Sequence, residues 1–320
     1  MTIAAERDDW AGLLDDTDEG PGPVAFLASA AVVDQPLLSP RQILAGRFSI
    51  VRLIARGALG VVYEARDLER ETSVAVKTVD RRLAADSAAM DRLRTEVLLA
   101  RRVRHPSVCR VFEIYALRTP KGEPLHFLTR ELIPGASLGE HIRRSGPLGV
   151  AEALPLVREM AEALAVAHGV GLVHRDFKPS NVILVPRVES ARGTRVVVND
   201  FGVARALLPD RRRTEPLPAL ATALLGSLDH LAPEQLEGGS VTPATDIYAL
   251  GVVMHQLVTG RVPSQHPLGP LADFPVVPPV ALVPELDPRW NAAILRCLER
   301  TPERRFPDAR SVVAALGEQA

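Results

Sequence analysis

Near residue 134 the spacing of apolar residues changes from the alternation of strands to the three-and-four spacing of helices. Before it, FSIVRLIARGALGVVYEARD, TSVAVKTV, Ser107 to Ala116 and Leu125 to Ile133 are dense in β-branched and aromatic residues and predict strands. Gly57 and Gly60 mark a tight turn between the first two, and RTPKGEP a polar turn between the last two. Ser87 to Val103 is the helical exception, with Leu93, Val97 and Ala100 on one side. After Gly135, helices are predicted at Ser137 to Arg144, Val150 to His168, Thr245 to Val258, Arg289 to Glu299 and Pro307 to Leu316. Short strands at Val182 to Leu184 and Arg195 to Val198 flank a loop, and Pro263 to Pro288 reads as irregular. A β-rich part followed by an α-rich part predicts an α+β chain of two lobes, with a ligand cleft between them.

Residues 1–44 are acidic and contain Pro and Gly, as in DDTDEGPGP, and are expected to be a disordered tail. Trp10, Leu13 and Leu14 could instead form a short docking helix for a regulatory protein. The folded domain is expected over 45–317, with the first lobe at 45–133 and the second at 136–317. The chain has 320 residues, 47% of them hydrophobic, enough for a well-buried core. A net charge of -1 gives no basic field for nucleic acid or a membrane surface. No stretch reaches the ~18–20 apolar residues of a bilayer span, and the acidic N-terminus lacks the order of a signal peptide. Cys109 and Cys297 lie in no metal-ligand spacing. A soluble, cytoplasmic protein is expected.

Of 38 basic residues only Lys77, Lys121 and Lys178 are lysine. A compact ammonium does what a flat guanidinium fork cannot, so a retained lysine points to a specific role or to chance. Ala55-Arg56-Gly57-Ala58-Leu59-Gly60-Val61-Val62 either brings bare backbone N–H groups to a phosphate or only closes a hairpin. Lys77, in Val74-Ala75-Val76-Lys77, either pairs with Glu96 and holds a nucleotide's phosphates or sits at the wet end of a strand. The segment His174-Arg175-Asp176-Phe177-Lys178-Pro179-Ser180-Asn181, followed by Asp200-Phe201-Gly202, carries more chemistry. Phosphoryl transfer asks for positioning and charge neutralisation. Asp176 can take the attacking hydroxyl's proton, Lys178 can steady the transferred group, and Asn181 and Asp200 offer the oxygen ligands magnesium prefers.

With these segments in order, the chain resembles a eukaryotic-like (Hanks-type) bacterial serine/threonine protein kinase from about Gly46 to Leu316. The resemblance implies the bilobal protein kinase fold, with a small antiparallel sheet in the N-lobe and a mainly helical C-lobe. It implies ATP and Mg2+ (or Mn2+) as cofactors and protein substrates as partners. Ala55, Gly57 and Gly60 would cover the phosphates, Lys77 would bind them and pair with Glu96, and Val62, Ala75 and Ile183 would line the adenine. Glu131, Leu132 and Ile133 would form the hinge, Asp176 and Lys178 would be catalytic, and Asn181 and Asp200 would hold metal. His174 and Phe201 would stack, and Ala232-Pro233-Glu234 would close the activation segment through Glu234 and Arg305. Asp246 would hold the catalytic loop from below. Lys178 resembles the serine/threonine branch, and Ser227 sits where that branch usually carries threonine.

The chain departs from that pattern at several positions. Ala55 replaces a glycine, Ala100 a larger spine residue, and Leu228 and His230 the usual proline and aromatic residue. Arg130 stands at the gatekeeper position, where it either competes with Lys77 for Glu96 and holds an inactive state or runs outward along its apolar stem. Arg175 is expected to receive a phosphorylated Thr214 or Thr222. The alternatives are a pseudokinase that senses nucleotide or scaffolds partners, and a small-molecule phosphotransferase of the aminoglycoside type. The latter lacks the Ala232-Pro233-Glu234 segment.

Overall fold

The strands Ile43–Leu44 (β1), Phe48–Gly57 (β2), Gly60–Asp67 (β3), Thr72–Thr78 (β4), Val111–Arg118 (β5) and Pro124–Glu131 (β6) form one antiparallel sheet in the order β1-β2-β3-β4-β6-β5. The structure is a computed structural model that describes residues 38–57, 60–119, 122–186, 194–201, 228–263 and 275–317. Register decides what faces the cleft. Val62, Lys77 and Leu128 lie opposite one another across β3, β4 and β6, and Glu64, Ala75 and Arg130 form the next row on that face. The opposite face carries Tyr63, Ala65, Val74, Val76 and Phe127 in a separate core. Phe127 stacks on Tyr115 and meets Phe48 edge-on there.

The helix Ser87–Ala100 (α2) follows a short helix at Arg81–Ala84 (α1) and is N-capped by Asp86, which accepts from the N–H groups of Ala88 and Ala89. Its buried Ala89, Met90, Leu93 and Val97 pack on Leu128, fixing the helix to the face that carries Lys77. Gly60 has φ +147, and a Cβ there would lie 1.8 Å from the Thr78 carbonyl oxygen. Its glycine is required by the close approach of β3 to β4, a packing demand that holds with or without a phosphate nearby.

In the second lobe, Leu138–Ser145 (α3) opens on a Ser137/Glu140 capping box, followed by Val150–Gly169 (α4). Ala136–Ser137 (β7), Val182–Pro186 (β8) and Thr194–Val198 (β9) form a small sheet. The helices Pro233–Glu237 (α5), Pro243–Thr259 (α6), Pro279–Leu282 (α7), Pro288–Cys297 (α8) and Ala309–Leu316 (α9) complete the lobe. Helix α6 is buried on nearly every side and lies at the centre, with Trp290, Ile294 and Met160 in the same core. No helix among the described residues is long and apolar enough to cross a membrane.

The expected fold is present, with local corrections. Ordered structure begins before residue 45: Leu38 is buried, its N–H donates to the Tyr63 hydroxyl at 3.1 Å, and β1 pairs with β2. Two residues of strand carry too short a pattern to be read from sequence. Residues 1–37, with Trp10, Leu13 and Leu14, lie outside the described residues. The strand expected from Ser107 begins at Val111, because the preceding residues reach the other lobe. Val198 N–H donates to Ser107 O at 2.8 Å and Cys109 N–H to Val198 O at 2.9 Å. Within Pro263 to Pro288, helix α7 replaces part of the irregular stretch.

Candidate active site between the lobes

The floor of the cleft hangs on one buried carboxylate. Asp246, in the first turn of α6, accepts from His168 Nε2 at 2.7 Å, from His174 N–H at 2.7 Å and from Arg175 N–H at 2.9 Å. Three donors satisfy a side chain that is 1% exposed. They also hold Arg175 at φ +67, a strained value for a non-glycine residue. Gln235 Nε2 adds a bond to Arg175 O at 2.8 Å. Below it, Arg305 binds both oxygens of Glu234 at 2.8 Å, and Thr245 donates to Glu234 at 2.8 Å.

His174 joins the two loops of the site. Burial pushes its imidazole pKa below the ordinary value, so the ring is neutral. Nε2 donates to Asn199 O at 2.9 Å, which leaves Nδ1 to accept from Asp176 N–H at 3.3 Å. The ring lies 4.6 Å from that of Phe201 at an interplanar angle of 51°, so the two rings touch in a tilted arrangement and not as the expected stack.

Asp176 is framed by two donors. Lys178 Nζ lies 2.9 Å from Oδ1, and Asn181 Nδ2 donates to Oδ2 at 3.2 Å and to the Asp176 carbonyl at 2.8 Å. The amide group of Asn181 is thereby committed to Asp176, leaving its oxygen as the end able to bind a cation. Asn199 N–H donates to Asn181 O at 2.8 Å, which brings Asp200 beside this group.

The roof is wired differently from the sequence expectation. Lys77 Nζ lies 3.1 Å from Asp200 Oδ1, not on Glu96. Glu96 instead takes Arg175 Nη1 at 2.7 Å. Arg130 neither meets Glu96 nor runs outward: its Nη1 donates to Asn199 Oδ1 and to Asp200 Oδ1. The cause is the strand register, which turns Arg130 to the cleft face opposite Ala75, where the carboxylate of Asp200 is the strong acceptor within reach. Burial alone would raise the Asp200 carboxyl, but Arg130 and Lys77 outweigh it and hold it below the ordinary carboxylate range. Asp200 itself has φ +60.

Four cations, Lys77, Arg130, Arg175 and Lys178, thus face three carboxylates, Glu96, Asp176 and Asp200. The excess suits a polyanion. Both cations on Asp200 bind Oδ1, and among the described residues no bond to Oδ2 is seen, so Oδ2 and the Asn181 side-chain oxygen offer a pair of hard donors that fits magnesium. No group of three or more His, Cys, Asp or Glu able to hold a metal occurs among the described residues, so ligand oxygens would complete any shell. Val62 and Ala75 share the face of Lys77, and Ile183 lies on β8. Glu131 ends β6 where the chain crosses to the second lobe, and Leu132 and Ile133 follow. Ala55 is paired with Val62 and keeps a negative φ, which a methyl group tolerates. Ala58, Leu59, Thr214, Thr222 and Ser227 lie outside the described residues.

His168, Asn199 and Gln235 are site residues that the sequence pattern did not single out. The signal for His168 is a histidine in the last turn of a largely apolar helix. For Asn199 it is a second amide next to Asp200-Phe201.

Such a cleft, on a curled sheet lobe and a helical lobe, defines a protein kinase domain. Residues 48–307 match the family described as "Protein kinase domain", and the chain belongs to it. Serine/threonine-protein kinase PknA of Mycobacterium tuberculosis is 33% identical over 275 residues, 84% of this chain and 61% of that protein. Serine/threonine-protein kinase PknB of Mycolicibacterium smegmatis is 30% identical over 286 residues, 86% and 43% respectively. The chain therefore spans about half the length of the curated relatives it matches. Among solved structures, the Mycobacterium tuberculosis PknI kinase domain has a TM-score of 0.67, covers 89% of this chain and 100% of its own, and is 27% identical. Rad53 1-466 in complex with AMP-PNP shares the fold at a TM-score of 0.63 and 19% identity.

Proposed function

We propose that this chain is an ATP-dependent serine/threonine protein kinase. The observation that carries the reading is the bonded chain Lys77–Asp200–Asn199–Asn181–Asp176–Lys178, which converges residues from both lobes on one cleft. Lys77 binds the phosphates of ATP, and Asn181 and Asp200 would hold magnesium, which would neutralise charge on the transferred group. Asp176 receives the hydroxyl proton as the acceptor oxygen bonds to the γ-phosphorus and the β–γ bridging oxygen leaves with ADP. Lys178 keeps Asp176 in place and meets the charge on the moving phosphoryl group. The complete set of charged residues opposes a pseudokinase. Dependence on ATP fits a cytoplasmic site of action.

In the catalytic arrangement Glu96 moves from Arg175 to Lys77. Glu96 Oε2 and Arg175 Nε are buried without a hydrogen-bond partner, so their single contact leaves both groups incompletely satisfied. A phosphate on Thr214 or Thr222 is the natural competitor for Arg175. Purified protein given labelled ATP and magnesium is expected to transfer phosphate to a protein acceptor's Ser or Thr. Asp176→Asn is expected to lower the rate about 10²–10⁴-fold. Equal transfer by the two proteins, or transfer to tyrosine alone, overturns the reading.

A further inference from the structure

Arg130 places a permanent positive charge on the residue expected to hold metal. Its guanidinium cannot lose its proton, it is 7% exposed, and Asn199 Oδ1 anchors it beside Asp200. Asn199 Oδ1 also accepts from Asp200 N–H at 3.0 Å, so one amide oxygen ties the cation and the carboxylate's own backbone together. With Lys77 at 3.1 Å from the same Oδ1, Asp200 is already balanced by two cations before any ligand arrives. The charge arithmetic has two consequences. A divalent ion approaching Asp200 meets two neighbouring like charges, which weakens its binding. A triphosphate entering without a metal meets a surplus of positive charge in a partly dry cleft, where a charge acts more strongly than in water.

We infer that Arg130 is a positioning residue that does part of the metal's charge-neutralising work, so that this cleft binds nucleoside triphosphate with little dependence on magnesium. Affinities for nucleotide and metal are reciprocally linked, and Arg130 lowers the coupling between them. The inference rests on the proposed reading of the cleft as a nucleotide site with Asp200 as a metal ligand. It does not need phosphoryl transfer to be observed.

The test is binding, not turnover. The dissociation constant of a fluorescent ribose-labelled ATP is measured with EDTA and with excess magnesium, for the unsubstituted chain and for Arg130→Met, Arg130→Gln and Arg130→Lys. For the unsubstituted chain the ratio of the two constants is expected within about tenfold. Arg130→Met raises that ratio at least about tenfold further, chiefly by weakening binding in EDTA, while Arg130→Lys keeps it near the original. A merely structural role for Arg130 would weaken both constants alike and leave the ratio unmoved. If Arg130→Met does not fold, Arg130→Gln, neutral yet able to hydrogen-bond Asn199, carries the comparison. An equal ratio in the neutral variants and the unsubstituted chain overturns the inference and leaves the nucleotide site standing. Absence of binding to the unsubstituted chain in both conditions overturns the inference together with the reading beneath it.

Discussion

The floor and the roof of the cleft are built from the same kinds of charge and treat them differently. In the floor, Asp246 takes three donors, and Glu234 takes both arms of Arg305 and the Thr245 hydroxyl. In the roof, Glu96 and Arg175 meet through one contact and each keeps a buried polar atom without a partner. A satisfied network has one arrangement and is costly to disturb. A half-satisfied pair has alternatives close in energy. The floor sets where the loop bearing Asp176 stands, and the roof can exchange partners without disturbing it.

That contrast can be broken in graded ways. Arg305→Met leaves the 8% exposed Glu234 without its cation, and a loss of about 3–5 kcal/mol in urea-unfolding free energy is expected. A loss below about 1 kcal/mol would show that the floor is no more fixed than the roof.

Acid is the next lever. Burial holds His174 and His255 below 6.5 and lowers His230 to about 4. The unfolded chain therefore takes up protons at higher pH than the native one. Their contribution is whole above about pH 6.5 and is lost as pH falls, by up to ~1.4 kcal/mol per pH unit for each histidine. Unfolding midpoints at pH 7, 6 and 5 check the slope, before depressed carboxylates such as Glu234 begin to act below 4.5. A flat profile would mean that these imidazoles are not held neutral.

Gly60→Ala drives a methyl group into the Thr78 carbonyl and is expected to cost roughly 1–3 kcal/mol, read by thermal melting. The smallest effect is expected at the roof pair. Arg175→Met frees Glu96 for Lys77 and should cost under about 1 kcal/mol, because Arg175 is partly exposed and its partner has a second cation to turn to. A cost near ~3 kcal/mol would show that Glu96 has nowhere to go.

What could be read from the sequence follows the same division. Asp176 and Asn181 were legible in the polar segment 174–181, and Asp246 and the Glu234–Arg305 pair through the family resemblance, which carries position along the chain into position in space. The partners of Lys77, Glu96 and Arg130 could not be read that way. Lys77 and Arg130 share one face of the sheet and Glu96 lies on α2, with several opposite charges in reach, and the choice depends on how α2 and the strand Thr194–Val198 settle against that face. The sequence supplied the inventory of charges there, but not the pairing. Asn199 went unread for the same reason, since its bonds to Arg130, Asp200, His174 and Asn181 exist only once the cleft is assembled. The early start of order at Leu38 rests on its burial in the sheet core, the Tyr63 hydroxyl contact and backbone bonds of Arg41 and Gln42 with Ile50, which no local pattern encodes.

The scarcity of lysine gives the cleft an unusual chemical visibility. Guanidinium groups resist acylation near neutral pH, whereas an ε-amine reacts. Two of the chain's three lysines, Lys77 and Lys178, stand within 3.1 Å of Asp200 and Asp176 inside the site, 10% and 16% exposed. An amine-directed label on this chain has few places to go besides the cleft, so its rate of attachment becomes a gauge of what occupies that space.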